Sequence, residues 1–337
     1  MRKARKTREA GVALVLTLLA VSFMIALTVQ LFSSVNLQMQ ASVNLRDSVV
    51  FDALNRSGLD LARAALAADQ KENGFDSLQD LWNTLDPEAV TMLLGEGDRV
   101  EVAVADQSGR LQVNALVSTE QDPARRKLEE EAQHRVWMRF LTSGLFAVED
   151  SDRAEALIDA IRDWIDLDDD EREKGAESGY YQGLSPPYAA RNGAVQHLEE
   201  LLLIRGMTPD IFYGNEERAG IAQFLTVYGR DGKININTAP AEVLLSLADT
   251  MDDRMAQDLI EFREDPGNRE LLANPLWYRE VIGLSEDLNL AEGLLTVASH
   301  YFTVTTSVEH NRIVRTGKGV LLRNDDGTQN LLSWEVR

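Results

Sequence analysis

Hydrophobic positions follow two different rules along this chain. Across residues 12–32 only Thr17, Ser22, Thr28 and Gln30 are polar, and no charged side chain occurs between Glu9 and Arg46. As a helix this stretch is about 32 Å long, against a hydrocarbon core of about 30 Å, so it is expected to span a membrane. Farther on, the apolar positions become periodic. Leu45, Val49, Leu59, Ala62 and Leu66 stand among Arg46, Asp47, Asp52, Arg56 and Arg63. That spacing predicts one helix over residues 12–68, amphipathic in its second half and bent at Gly58.

Residues 75–94 read as a second helix, with Asp76 or Ser77 as cap, Leu78, Leu81, Trp82, Leu85, Leu93 and Leu94 as its apolar face, and Gly95 and Gly97 ending it. Residues 99–105 alternate polar and apolar, then a turn at 106–109 leads into 110–114, which predicts a hairpin. The design returns at 224–229 and 233–237, where Gly232-Lys-Ile-Asn-Ile-Asn237 echoes Gly109-Arg-Leu-Gln-Val-Asn114. One sheet interrupted by an inserted helical module is the expectation. Helical patterns fill 126–145, 152–164 and 196–204, and again 240–247, 254–263 and 275–282. The chain closes on strand-like runs at 301–308, 312–323 and 330–336, with an Asp-Gly turn at 324–327 marking a hairpin.

Charge then orients the first helix. Arg2, Lys3, Arg5, Lys6 and Arg8 precede it, while the whole chain of 337 residues carries a formal charge of −21. The positive-inside rule keeps the N-terminus in the cytoplasm and exports the rest. A secretory signal peptide is the plainer alternative, but the apolar run continues through Ser33, Ser34 and Val35 without a small-residue cleavage pattern. The acidic balance argues against a nucleic-acid surface. No cysteine is present, which excludes disulfides, thiolate metal sites and cysteine nucleophiles.

The densest chemistry lies at Asp163, Asp166, Asp168, Asp169, Asp170 and Glu171, followed by Gly175 and Glu177. Asp166, Asp168, Asp170 and Glu177 have the spacing of positions one, three, five and twelve of an EF-hand, but Glu171 occupies the sixth position, where that loop needs glycine. A true EF-hand is therefore rejected. Two readings lead, a calcium site on these alternating carboxylates or a solvated acidic loop after a helix; catalytic carboxylates are a poorer third, because no apolar pocket or paired histidine accompanies them in sequence.

The basic leader ending at Gly11, followed directly by an apolar helix, resembles a type IV pilin or pseudopilin precursor. The resemblance implies cleavage by a prepilin peptidase after Gly11 and a mature chain beginning at Val12. Such subunits usually carry glutamate at the fifth mature position, and here that position is Leu16. A carboxylate in the bilayer costs roughly 2.5–3.5 kcal/mol on insertion scales and is tolerable mainly when paired. A subunit with nothing ahead of it in a filament has no partner to offer, so leucine is the cheaper residue at the tip. Leu16, the run from Asp163, Asp166 and Asp168 through Gly175-Ala-Glu177, Tyr180, Tyr181, Pro187, Tyr188, Arg191-Asn-Gly193, Leu198-Glu-Glu-Leu201 and Arg205-Gly-Met207, and Ile234-Asn-Ile-Asn-Thr-Ala-Pro240 are together similar to the K-type minor pseudopilins of type II secretion systems.

That family implies a non-enzymatic subunit at the tip of the pseudopilus, assembling with the minor pseudopilins I and J, anchored in inner-membrane lipid with a periplasmic head. It also implies calcium in the helical part. The fold expected is α+β: leader 1–11, transmembrane helix 12–34, pilin-like helix and first strands 35–118, a first helical insert 119–218, strands 219–237, a second helical (SAM-like) domain 238–298 and closing strands 299–337.

The other class considered is a membrane-anchored helix-hairpin-helix DNA receptor, which Asn235 to Pro240, Leu247, Ala256, Ile260, Arg263 and Gly267 resemble. Where that motif offers glycine amides to phosphate, this chain has Asp249, Asp252 and Asp253. Hydrolase signatures such as G-x-S-x-G and H-E-x-x-H are lacking, and His134, His197, His300 and His310 are scattered.

Overall fold

The computed structural model describes residues 2–94, 97–282 and 292–337, with side chains from residue 11 onward. The basic side chains of the leader and Gly95 lie outside that set. Helix α1, Arg2–Glu72, is continuous, as its pattern predicts. Its first half is bare, and Leu14, Leu16, Leu19, Met24 and Leu31 each stay more than 60% exposed. Its second half is buried along one face by Phe51, Leu59, Ala62 and Leu66. The helix runs through Gly58 without a break. A Cβ there would stand 2.8 Å from the Thr306 methyl and 3.0 Å from a Val102 methyl, so glycine lets α1 approach the sheet closely.

After α2, Pro87–Leu94, comes β1, Arg99–Asp106, followed by the two-residue β2, Leu111–Gln112. The first insert holds α3, Pro123–Leu141, α4, Ser151–Ile165, α5, Ser178–Gln182, and α6, Pro209–Phe212. Next come β3, Leu225–Thr226, and β4, Ile234–Asn235. The second helical part holds α7, Ala241–Leu245, α8, Asp253–Glu264, and α9, Tyr278–Ile282. Four strands end the chain: β5, Leu295–Thr296, β6, Tyr301–His310, β7, Ile313–Arg323, and β8, Gln329–Val336.

The main sheet is antiparallel in the order β1-β6-β7-β8. It joins one strand from before the inserts to three from after them, and the hairpin at 324–327 forms, but the 219–237 strands expected in this sheet are not part of it: β3 and β4 pair in separate two-stranded sheets. Alternation decides its faces. Val100, Val102, Val104, Phe302, Val304 and Val308 turn toward α1. Within this apolar layer Asn55 is fully buried, and its Oδ1 accepts from Thr306 Oγ1 and, at 3.0 Å, from the Gly317 amide. One stalk side chain thereby fixes β6 and β7 together.

Three expectations fail for identifiable reasons. Residues 75–86 are turns, because their polar side chains are spent on tertiary partners: Asp76 on Arg323 and the Ser299 amide, Asp80 on Arg269 and the Ser77 amide. Neither β2 nor β4 belongs to a hairpin. β2 pairs parallel with β3, and β4 parallel with β5. The 229–233 loop instead wraps the amide of Gln112, which donates to Asp231 and the Lys233 carbonyl and accepts from the Gly232 amide. Gly229 and Gly232 take positive φ to allow it.

The buried apolar side chains of the two helical parts form one continuous cluster, separate from the layer under α1. A buried polar seam joins the two. Arg323, on β7, donates to both Asp76 oxygens at 2.5 and 2.6 Å, to Asp69 at the end of α1 at 3.3 Å and to the Ser299 carbonyl. The Asp76 carbonyl accepts from Asn235 and Asn237, and Asn237 accepts from the Trp277 indole. Asp106 accepts from Thr238 and Ser299.

Burial outweighs the guanidinium here. It lifts Asp69, beside Asp80 and Asp76, from 3.8 to about 7, and lifts Asp76 to about 6 despite Arg323. The folded state thus holds protons that the unfolded chain releases, so the contribution of these two groups to stability is fully present below the ordinary carboxylate range and is lost as pH rises through about 6 to 7. Thermal unfolding followed by tryptophan fluorescence is expected to give a higher Tm at pH 5.5 than at pH 8. Arg323→Met is expected to cost about 3–5 kcal/mol, the range for stranding buried charge. The loss should be larger at pH 8, where both carboxylates are ionised.

Candidate functional site

Helix α4 delivers the acidic loop. Asp150 caps it through the Arg153 amide, and its apolar face, Ala154, Leu157, Ile158, Ile161 and Trp164, is buried. The helix stops at Ile165, leaving the fully buried Asp163 in its last turn. A carboxylate at that end faces the negative pole of the helix dipole, an arrangement that calls for a cation. Below the loop an aromatic wall excludes water: Trp164 meets Tyr181 edge-on at 5.1 Å, and Tyr181 stacks on Tyr188 at 5.3 Å.

Three carboxylates converge here. One oxygen each from Asp163, Asp166 and Glu177 lie within 4.8 Å of one another. Asp168 and Asp170, which the spacing also nominated, stay exposed in the loop, where Asp168 accepts from the Asp170 amide. Asp163 completes the set instead. The alternation pattern could not select it, because it sits on the helix and not in the loop. Gly175 is obligatory at this point: a Cβ would lie 1.9 Å from Asp163 Oδ2.

The polar balance of the site is lopsided. Arg172 Nη1 lies 2.5 Å from Asp163 Oδ1 and 2.5 Å from Asp166 Oδ2. Both oxygens of Glu177, Oδ1 of Asp166 and Oδ1 of the neighbouring Asn192 are buried without a hydrogen-bond partner. Asn192 is tied to the loop by its amide, which donates to the Asp168 carbonyl at 2.9 Å and to Asp169. Burial, then the charges of Asp163, Asp166, Asp169 and Asp168, push Glu177 up to about 7, and burial raises Asp166 as well. An all-oxygen donor set with spare acceptors suits a hard cation such as calcium, which takes six to eight oxygens. The residues fit the ion.

The other sequence candidates lie apart. Gly11, Val12 and Leu16 are on the bare half of α1, with nothing within 4 Å of a Cβ built on Gly11. Among the described residues, one helix is long and apolar enough to cross a membrane, within Gly11–Glu72. The histidines are structural: His134 bonds Glu155, and His310 bonds Asp98 and approaches Asp47 of α1 at 3.4 Å. In place of a phosphate-binding hairpin, Asp249 pairs with Arg139 of α3, and Asp252 caps α8.

Comparison with known proteins places these features. A family model described as type II secretion system protein K, first part, matches residues 109–214, and one for type II secretion system protein K matches 234–277. Type II secretion system protein K of Pseudomonas aeruginosa is 25% identical over 265 residues, 76% of this chain and 73% of its own. A putative type II secretion system protein K of Escherichia coli K12 is 27% identical over 205 residues, 60% of each chain. A chain in the crystal structure of the GspK-GspI-GspJ complex from the enterotoxigenic Escherichia coli type 2 secretion system has the same fold. Its TM-score is 0.62 at 17% identity, over 89% of this chain and 99% of that one. With one model running through the acidic loop, the other through the asparagine-rich strand, and relatives matching most of the chain, type II secretion system protein K is the family that these matches support.

Proposed function

We propose that this protein is a non-enzymatic minor pseudopilin that caps the tip of a type II secretion pseudopilus. The observation that carries this reading is α1: half of it is bare and apolar, half is sealed to a large head, and Leu16 stands where a filament-interior subunit would present a carboxylate. The bare half lies in the inner membrane with the N-terminus in the cytoplasm and the head in the periplasm. Prepilin peptidase cuts after Gly11 and frees the amine of Val12. The helix then leaves the lipid by packing against the stalks of the minor pseudopilins I and J. Relatives support those partners, since the solved complex that shares this fold is named for K, I and J subunits. Two inserts on one stalk make a head too wide to be enclosed by stacked neighbours, which favours an end position.

Calcium belongs to the same reading. Asp163, Asp166 and Glu177 would hold it, with the exposed carboxylates of the loop drawing it in electrostatically. The ion would supply positive charge to a loop whose carboxylates otherwise repel. An exported head without cysteine has no disulfide to hold such a loop, so a metal tie is a reasonable substitute.

Gly11→Ala is expected to abolish processing and secretion, read as a mass for the native subunit that retains the leader. Efficient processing of that variant would remove the pilin reading. Leu16→Glu should still insert but lose its place with I and J, seen as reduced co-purification. EGTA should lower the Tm of the protein, and calcium should restore it. Glu177→Gln should abolish that response and, without calcium, flatten part of the pH dependence. Glu177 is raised to about 7, so its contribution is present below the ordinary carboxylate range and lost as pH rises through about 7.

A further inference from the structure

Arg172 stands where a cation would. Its Nη1 bridges Asp163 and Asp166, two of the three carboxylates that converge, while both oxygens of Glu177 remain buried and unpartnered. One positive charge therefore answers three carboxyl groups. A planar guanidinium at this distance satisfies two of them and has no reach to the third.

Two further details make the side chain removable. The Arg172 amide is anchored independently, donating to Asp163 Oδ2 at 3.2 Å, so the backbone can keep its path when the side chain leaves. The side chain is also 27% exposed, against 0% for Asp163 and 10% for Asp166, which puts it at the mouth of the site. Asp168 and Asp169, exposed in the adjoining loop, lie close enough for their charges to act on Glu177, so a displaced guanidinium remains in a favourable field.

We propose that Arg172 is a built-in competitor for calcium: the loop closes either on this guanidinium or on the divalent ion, and the exchange sets the affinity of the site. The inference rests on the calcium reading of the loop. Its consequence is a site that stays folded without metal, yet binds only where free calcium is high enough to displace the arginine. The competing state lowers apparent affinity to the fraction of molecules that it leaves open. Arginine does not deprotonate in this range, so the competitor cannot be removed by pH.

The test is a titration of calcium chloride into the full chain in detergent micelles, stripped of metal, by calorimetry with parallel thermal melts. Arg172→Met keeps the apolar stem and removes the charge. It is expected to bind calcium about tenfold more tightly than the wild type, or better, the scale of losing one partly buried ion pair. It should also melt below the wild type in EGTA and approach it at saturating calcium. Equal or weaker calcium affinity in Arg172→Met overturns the proposal. Should that variant not fold, the Nε–H resonance of Arg172 in the wild type, assigned with Arg172→Lys, decides the matter. Loss of its bridged environment on calcium addition supports exchange, and an unchanged resonance at saturation overturns it. Absence of calcium binding by both proteins removes the calcium reading itself, whereas binding without an Arg172 effect removes this proposal alone.

Discussion

The burial of Arg323 is the constraint from which the head is organised. A guanidinium this deep is tolerable only with its donors filled, and they are filled from two separate parts of the chain: Asp69 and Asp76 at and just beyond the end of the stalk helix, and the Ser299 carbonyl just before β6. The same Asp76 offers its carbonyl to Asn235 and Asn237, and Asn237 takes the Trp277 indole. Stalk, sheet and second helical part thus meet at one residue. Such a seam adds little net stability compared with apolar packing, but it fixes a single register between layers that hydrophobic burial alone would let slide.

The acidic loop solves the opposite problem. At Arg323 the carboxylates are nearly matched by donors, whereas around Asp163 acceptors outnumber them. The difference shows in the orphan atoms, which at the loop are oxygens of Asp166, Glu177 and Asn192. It shows also in Glu177, held near neutrality by burial beside like charges. Both places raise carboxylates above their ordinary range, yet among the described residues it is at the loop that buried carboxylate oxygens are left without a hydrogen-bond partner. Perturbed titration therefore does not distinguish a structural seam from a binding site; unmet hydrogen-bonding capacity does.

Much of this was legible beforehand, in proportion to how local its causes are. The stalk, α4, α8 and the last three strands follow from periodicity and turn chemistry. What escaped was set by partners far away in sequence. Residues 75–86 carry a helical pattern but are held as turns by Arg323, Arg269 and Ser299. Gln112 and Asp231 are 119 positions apart, and their bond replaces the hairpin that the glycine-bounded motif suggests. Asp163 was visible as an acid but hidden as a member of the triad, because its role depends on Gly175 folding back onto it.

Continuity of α1 gives these parts a mechanical relation. From residue 12 to Asp69 the helix is unbroken, about 86 Å at helical rise. Its apolar half cannot remain in water, and its other half is fixed to the sheet by Asn55, by the close approach at Gly58 and by the His310 contacts to Asp98 and Asp47. There is no proline in this span and its one interior glycine is locked against the sheet, so the stalk has no hinge of the usual kinds. A displacement of the stalk at Asp69 is therefore coupled through Arg323 to Asp76 and Ser299, and through Asn237 to the second helical part. The physical reason is that the helix ends inside a buried polar seam, with Asp69 held by Arg323.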